Sequence, residues 1–223
     1  TNPATANSYQ IPVTAGASDT GETRVVILDS VTVSATVDTI FTFQVQGTAT
    51  GTVVGTNDAS RGATQATAIP FGELQADTAS TAAQSLEVST NASNGFVVTV
   101  QVDQQLTSSN GADIDGFIDG AYTSTPTAFV DPGETPGVEN EAGHWGLSTD
   151  DAVLTGGADF NGGDDFVSAS TTPVEVFSHT GPADGSTPGQ GTANVVYQVR
   201  ITALQEAADD YTATLTYVAT PVF

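Results

Sequence analysis

The sequence contains no cysteine, no methionine and no lysine, and its 26 acidic residues stand against three arginines, Arg24, Arg61 and Arg200. Without cysteine neither a disulfide framework nor a thiolate metal site exists, so stability has to come from packing. A net charge of -23 carried with so few cations cannot neutralise a run of phosphates, which excludes nucleic acid and anionic lipid as partners. Lysine-dependent isopeptide cross-links and sortase polymerisation lack their amine. Trypsin has at most three places to cut, and little side chain is open to oxidation. No run reaches the roughly 18 apolar residues of a membrane helix, so no membrane span is expected. Residues 1–18 are polar and hold Pro3 and Pro12, so the long apolar N-terminal helix of a type IV pilin is not expected in them. The chain opens at Thr1 with no apolar signal core, and is expected to be a processed, secreted chain of the cell surface.

What the chain does have is two-residue alternation, and with 38% hydrophobic residues it can bury a β core. In Phe41-Thr42-Phe43-Gln44-Val45-Gln46 the odd positions are apolar and the even ones polar. Val25 to Val37 forms another candidate strand. Leu86 and Val88 lead through Asn91–Gly95 into Phe96, Val98, Val100 and Val102, the pattern of a hairpin with Asn-Gly at its tip. Val195 to Ile201 and Tyr211 to Tyr217 alternate in the same way. The single helix candidate, Ala203 to Ala208, is short enough to be a turn. The fold expected is all-β, an antiparallel β-sandwich of jelly-roll or immunoglobulin-like type with long Gly/Asp-rich loops. Residues 1–18 read as an extended N-terminal segment and 19–223 as one domain, interrupted at about 104–170 by a loop-rich insertion of Gly, Asp, Ser and Pro.

Two acidic stretches carry possible metal chemistry. Asp113, Asp115 and Asp119 alternate beside glycines, and Asp159, Asn161 and Asp164 form a second group; both offer the oxygen ligands that calcium takes. Neither matches the twelve-residue EF-hand loop, and Asp and Gly also make plain turns, so ligand and turn remain alternative readings. His144 and His179 lie 35 residues apart with no metal-ligand spacing, and no nucleophile elbow, phosphate loop or dinucleotide fingerprint is present. No enzyme is expected, and no cofactor is required beyond the candidate Ca²⁺. Trp145 reads either as a sugar-stacking platform on a loop or as a core plug. Asn91-Ala92-Ser93 is a glycosylation sequon in a turn.

Tyr9, Ile11 and Val13 fall on one side of an extended stretch. Such a segment can add to the sheet of a neighbouring copy, backbone hydrogen bonds giving affinity and alternate side chains filling pockets, or it can pair with its own domain as an edge strand. Repeated head to tail, the first arrangement builds a filament.

Phe71-Gly72, the stretch Thr90 to Val100 and the ending Tyr211 to Tyr217 resemble secreted bacterial surface β-sandwich proteins, in particular WxL-type cell-surface domains and fibre subunits of the TasA kind. Phe96 and Tyr217 stand where the WxL pattern carries tryptophans. The resemblance implies an extracellular location and, through WxL, attachment to cell-wall glycan. The function expected is that of a structural subunit of an extracellular, pilus-like filament whose partner is another copy of itself, assembled by strand complementation with Tyr9, Ile11 and Val13 as donor anchors. The alternative is a calcium-stabilised adhesin or a carbohydrate-binding surface module.

Overall fold

The computed structural model describes residues 4–28, 32–117, 123–133, 142–208 and 210–223. The chain forms two compact units, Thr1–Asp38 and Thr39–Phe223. The boundary expected after residue 18 therefore lies twenty residues further on. Residues 16–18 instead turn β1 (Asn7–Ala15) back onto β2 (Asp19–Ile27) as an antiparallel hairpin. Gly16 takes φ 73 there, a conformation open to a residue without Cβ. The expected strand from Val25 to Val37 ends at Ile27, and residues 32–40 form no strand. Valine favours extended backbone, yet a strand also needs a neighbour for its ladder, and Val33 and Val37 are left exposed.

The second unit is an all-β sandwich. Its larger sheet holds β3 (Phe41–Gly47), β6 (Ser80–Thr90), β11 (Gly143–Thr149), β12 (Asp165–Ser168) and β15 (Thr192–Ile201). Short strands extend it: β8 (Leu106–Thr107), β9 (Asp113–Gly116), β10 (Thr127–Ala128) and β14 (Ala183–Asp184). The path runs β10-β12-β11-β15-β6-β14, with β3 also on β6 and β9 on β11. The smaller sheet has the order β13-β7-β16, formed by β7 (Phe96–Val102), β13 (Val174–His179) and β16 (Leu215–Pro221). β4 (Val53–Val54) and β5 (Asn57–Asp58) form a separate two-stranded ladder.

The core between the sheets follows from the alternation. Val98, Val100 and Phe177 of the smaller sheet meet Leu86, Val88, Leu147, Val195 and Tyr197 of the larger. At about 1.5–3 kcal/mol per fully buried side chain of this size, the layer is the main source of stability. The opposite face of the larger sheet is covered too, by Phe117, Phe166 and Val54 against Val196.

That double coverage explains the largest departure from expectation. The supposed insertion at 104–170 contains β11, an inner strand of the larger sheet that is buried at every position. A strand covered on both faces shows no alternation, and Gly-His-Trp-Gly-Leu-Ser-Thr reads as a loop. Gly146 is required at its place, because a Cβ would stand 2.6 Å from the Val167 oxygen and 2.7 Å from the Phe117 ring. The expected hairpin of 86–102 is also corrected. β6 and β7 are consecutive but unpaired, each belonging to a different sheet, and residues 91–95 make the corner between them. The corner is bonded to the chain end instead, Asn94 N donating to Val222 O at 3.0 Å and Val222 N to Gly95 O at 2.8 Å. Ala203 to Ala208 forms turns and coil.

Candidate functional site

In the first unit the register of β1 on β2 sorts the side chains. Tyr9 lies opposite Val25, Ile11 opposite Thr23 and Val13 opposite Gly21, with Ile27 in the same row facing Asn7. Gln10 opposite Arg24 and Pro12 opposite Glu22 form the other face, where Val26 opposite Ser8 is the one large apolar side chain of β2. The hairpin is thus amphipathic, and its apolar face is bare: Ile11 is 45% exposed, Val13 54% and Val25 48%. A two-stranded hairpin is marginal in water unless that face is packed against something. The three anchors read from the sequence do share one face. Val25 and Ile27, which complete it, were missed because their register to Tyr9 is set only by the turn at Gly16.

In the second unit one side of the sandwich is open. Among the described residues β3 pairs only with β6, and β16 only with β7. These two edges border the same side, since Phe43 of β3 stands 6.4 Å from Tyr217 of β16 between ring centroids. Backbone direction follows from the flanking bonds. Thr214 O accepts from Asp103 N and Val222 N donates to Gly95 O, so the even residues of β16 face β7. The backbone groups of Leu215, Tyr217 and Ala219 therefore point outward. Asn91 N donates to Ile40 O, which by the same parity turns the backbone groups of Phe41, Phe43 and Val45 outward on β3. The side chains of these six residues form a half-buried apolar row against the core.

Beside β16 the open side deepens into a cavity of about 1110 Å³, lined among others by Ile69, Phe71, Leu74, Leu106, Leu215 and Tyr217. It also holds a polar chain. The Tyr197 hydroxyl lies 2.6 Å from that of Tyr217, which donates to Gln84 Oε1 at 3.1 Å, and Gln84 Nε2 donates to Gln65 O at 2.7 Å. Burial pushes the pKa of both phenols well above the ordinary tyrosine range, for Tyr197 with the further effect of its neighbour Tyr217.

The other sequence-derived residues are placed as follows. Asp113 and Asp115 lie on β9, whereas Asp119 falls outside the described residues. Asp164 Oδ1 accepts from Thr56 N at 2.6 Å and Thr56 Oγ1 at 2.8 Å, and Asp159 Oδ1 accepts from Asn161 N at 2.8 Å. Their oxygens brace loops, and among the described residues no group of three or more His, Asp or Glu is placed to hold a metal ion. Trp145 is not on a loop; it lies in β11, 2% exposed, and its indole N–H donates to Gln105 Oε1 at 2.7 Å. A ring so covered offers no face to a sugar, which removes the stacking platform. Asn91 is exposed at the β6–β7 corner, its Oδ1 accepting from Ile40 N at 2.8 Å. His144 is wholly buried, with Nδ1 2.8 Å from Val130 O. Comparison with protein-family models and with curated proteins gives no match.

Proposed function

We propose that the chain is a structural subunit of an extracellular, pilus-like filament in which each copy completes the β structure of the next. The observation that carries this reading is the bare apolar face of the hairpin. Tyr9, Ile11, Val13, Val25 and Ile27 form an alternating row that a sheet in a neighbouring copy would bury, giving the hairpin the packing that a two-stranded ribbon lacks. Because the donor and acceptor surfaces differ, the contact is heterologous and repeats head to tail without closing. The charge of -23 keeps the assembled filaments apart and soluble. No metal is needed for such a contact.

Negative-stain electron microscopy of the full chain and of a chain lacking residues 1–38, each with and without EDTA, tests the reading. Regular filaments are expected from the full chain irrespective of chelator, and single particles from the truncated one. Single particles of about 22.5 kDa from the full chain overturn it.

A further inference from the structure

Resting on that reading, we infer that the receiving site is the outward edge of β16, and that the strand pairing with it is β2 of a second copy. Two edges border the open side of the sandwich, and that of β16 adjoins the cavity. The cavity is lined by Thr214, Leu215 and Tyr217 and by no residue of β3. On β3 the end of the strand is already occupied: Gly47 lies so close to the Thr64 carbonyl that a Cβ would overlap it, and Thr48 N donates to Thr64 Oγ1 at 2.8 Å. At β16 the outward groups of Leu215, Tyr217 and Ala219 have no backbone hydrogen bond among the described residues.

The donor has two candidate edges, those of β1 and β2. β1 contains Pro12, and a proline is tolerated in a sheet where its nitrogen faces away from the paired strand. That places the missing donor on the outer edge of β1, a common way of blunting an edge. β2, with Thr23, Val25 and Ile27 alternating along it, contains no proline and keeps its outer ladder whole. With β2 added parallel to β16, where the even residues of β2 bond between Leu215, Tyr217 and Ala219, the small sheet grows by the two strands of the hairpin. The row of Tyr9, Ile11, Val13, Val25 and Ile27 then turns inward over the cavity, continuing the inward row of Leu215, Tyr217 and Ala219. Arg24 and Glu22 stay on the wet face, alongside the exposed Thr216 and Thr220.

Proline substitutions at chosen parity separate the two edges. Ala219→Pro removes an outward N–H of β16 and leaves the ladder to β7 intact; Val45→Pro does the same for β3. Val218→Pro, which cuts the ladder to β7, shows in a thermal melt what a damaged subunit looks like. Ala219→Pro is expected to melt near the parent and to lose at least about tenfold in polymer yield, while Val45→Pro assembles normally. A second readout needs no variant. The Arg24–Val25 bond lies in the strand held between β1 and β16, so trypsin is expected to cut it at least about tenfold more slowly in filaments than in free subunits. Assembly blocked by Val45→Pro and not by Ala219→Pro, assembly unaffected by either, or equal cleavage at Arg24 in both states overturns the inference. If the wild type forms filaments and the chain lacking residues 1–38 does not, the filament reading survives any of these results.

Discussion

The hydroxyl of Tyr197 on β15 stands 2.6 Å from that of Tyr217 on β16. This bond joins the larger sheet to the edge strand of the smaller, as the bond from Thr149 Oγ1 to Val176 O at 2.7 Å joins β11 to β13. Tyr197 is wholly buried, so its O–H has no water to turn to if the partner is lost.

Tyr217→Phe therefore leaves the Tyr197 hydroxyl without an acceptor and Gln84 Oε1 without its donor. A loss of about 1–3 kcal/mol is expected in urea unfolding. The alkaline limb follows from the raised pKa of both phenols. Unfolded tyrosines ionise near their ordinary value of 10.0, whereas the buried pair stays neutral, so stability falls as pH rises above 10.0. The slope is about 1.4 kcal/mol per pH unit for each proton, and the double variant Tyr197→Phe/Tyr217→Phe flattens it.

Asp151 is buried at 2% exposure, accepting from Ser178 N at 2.9 Å and more distantly from Val153 N. Burial raises its pKa above the ordinary 3.8, and nearby Asp150 and Glu175 push in the same direction. The folded state thus holds its proton longer than the unfolded chain, and stability declines as pH rises from about 3.8 through the raised value. Asp151→Asn removes that decline. Its melting temperature is expected to match the parent at acid pH and to equal or exceed it at neutral pH.

Gly95 has φ 77, and a Cβ there would overlap the His179 carbonyl oxygen; Gly157 has φ 78 with nothing within 4 Å. The pair separates backbone strain from collision. Gly157→Ala is expected to cost about 1 kcal/mol, and Gly95→Ala well over 3 kcal/mol or failure to fold, as read by thermal melts.

The two faces of the hairpin are expected to behave differently. Ile11→Ser with Val25→Ser strips the apolar face, and at about 25 cal/mol per Å² of lost burial should raise the critical concentration for assembly at least about tenfold. Gln10→Ser on the opposite face should leave it unchanged. Light scattering reads both, and the melt of the sandwich serves as the control.

Assembly should also quicken with ionic strength. Two subunits of net charge -23 repel at the roughly 30 Å Debye length of about 0.01 M salt, and far less at the roughly 8 Å of about 0.15 M. A polymerisation rate independent of salt would falsify the view that repulsion limits encounter.

Where one face of a strand is wet, the sequence announces it. Phe41, Phe43 and Val45 on β3 and Val98, Val100 and Val102 on β7 alternate with polar or less buried neighbours, as read. β11 was illegible for the opposite reason: with both faces covered it carries no period, and its two glycines suggest a loop until Phe117 and Val167 are seen packed against Gly146. Partner choice was also hidden. Nothing local in Asn91–Gly95 distinguishes a hairpin tip from a corner between sheets, because the deciding bonds go to Val222, more than a hundred residues away. Tyr9, Ile11 and Val13 were legible as a row, while the edges of β3 and β16 exist only once the strands are placed.

Trp145 is the only tryptophan in the chain, and it is both sealed in β11 and among the residues lining the cavity beside β16. The protein therefore carries its one indole fluorophore, separable from its tyrosines by excitation near the red edge, at the place where a neighbouring strand would settle. Its emission should be short in wavelength in the folded subunit, resist quenching by acrylamide, and change in lifetime when the adjoining space is filled, giving a label-free optical signal in solution.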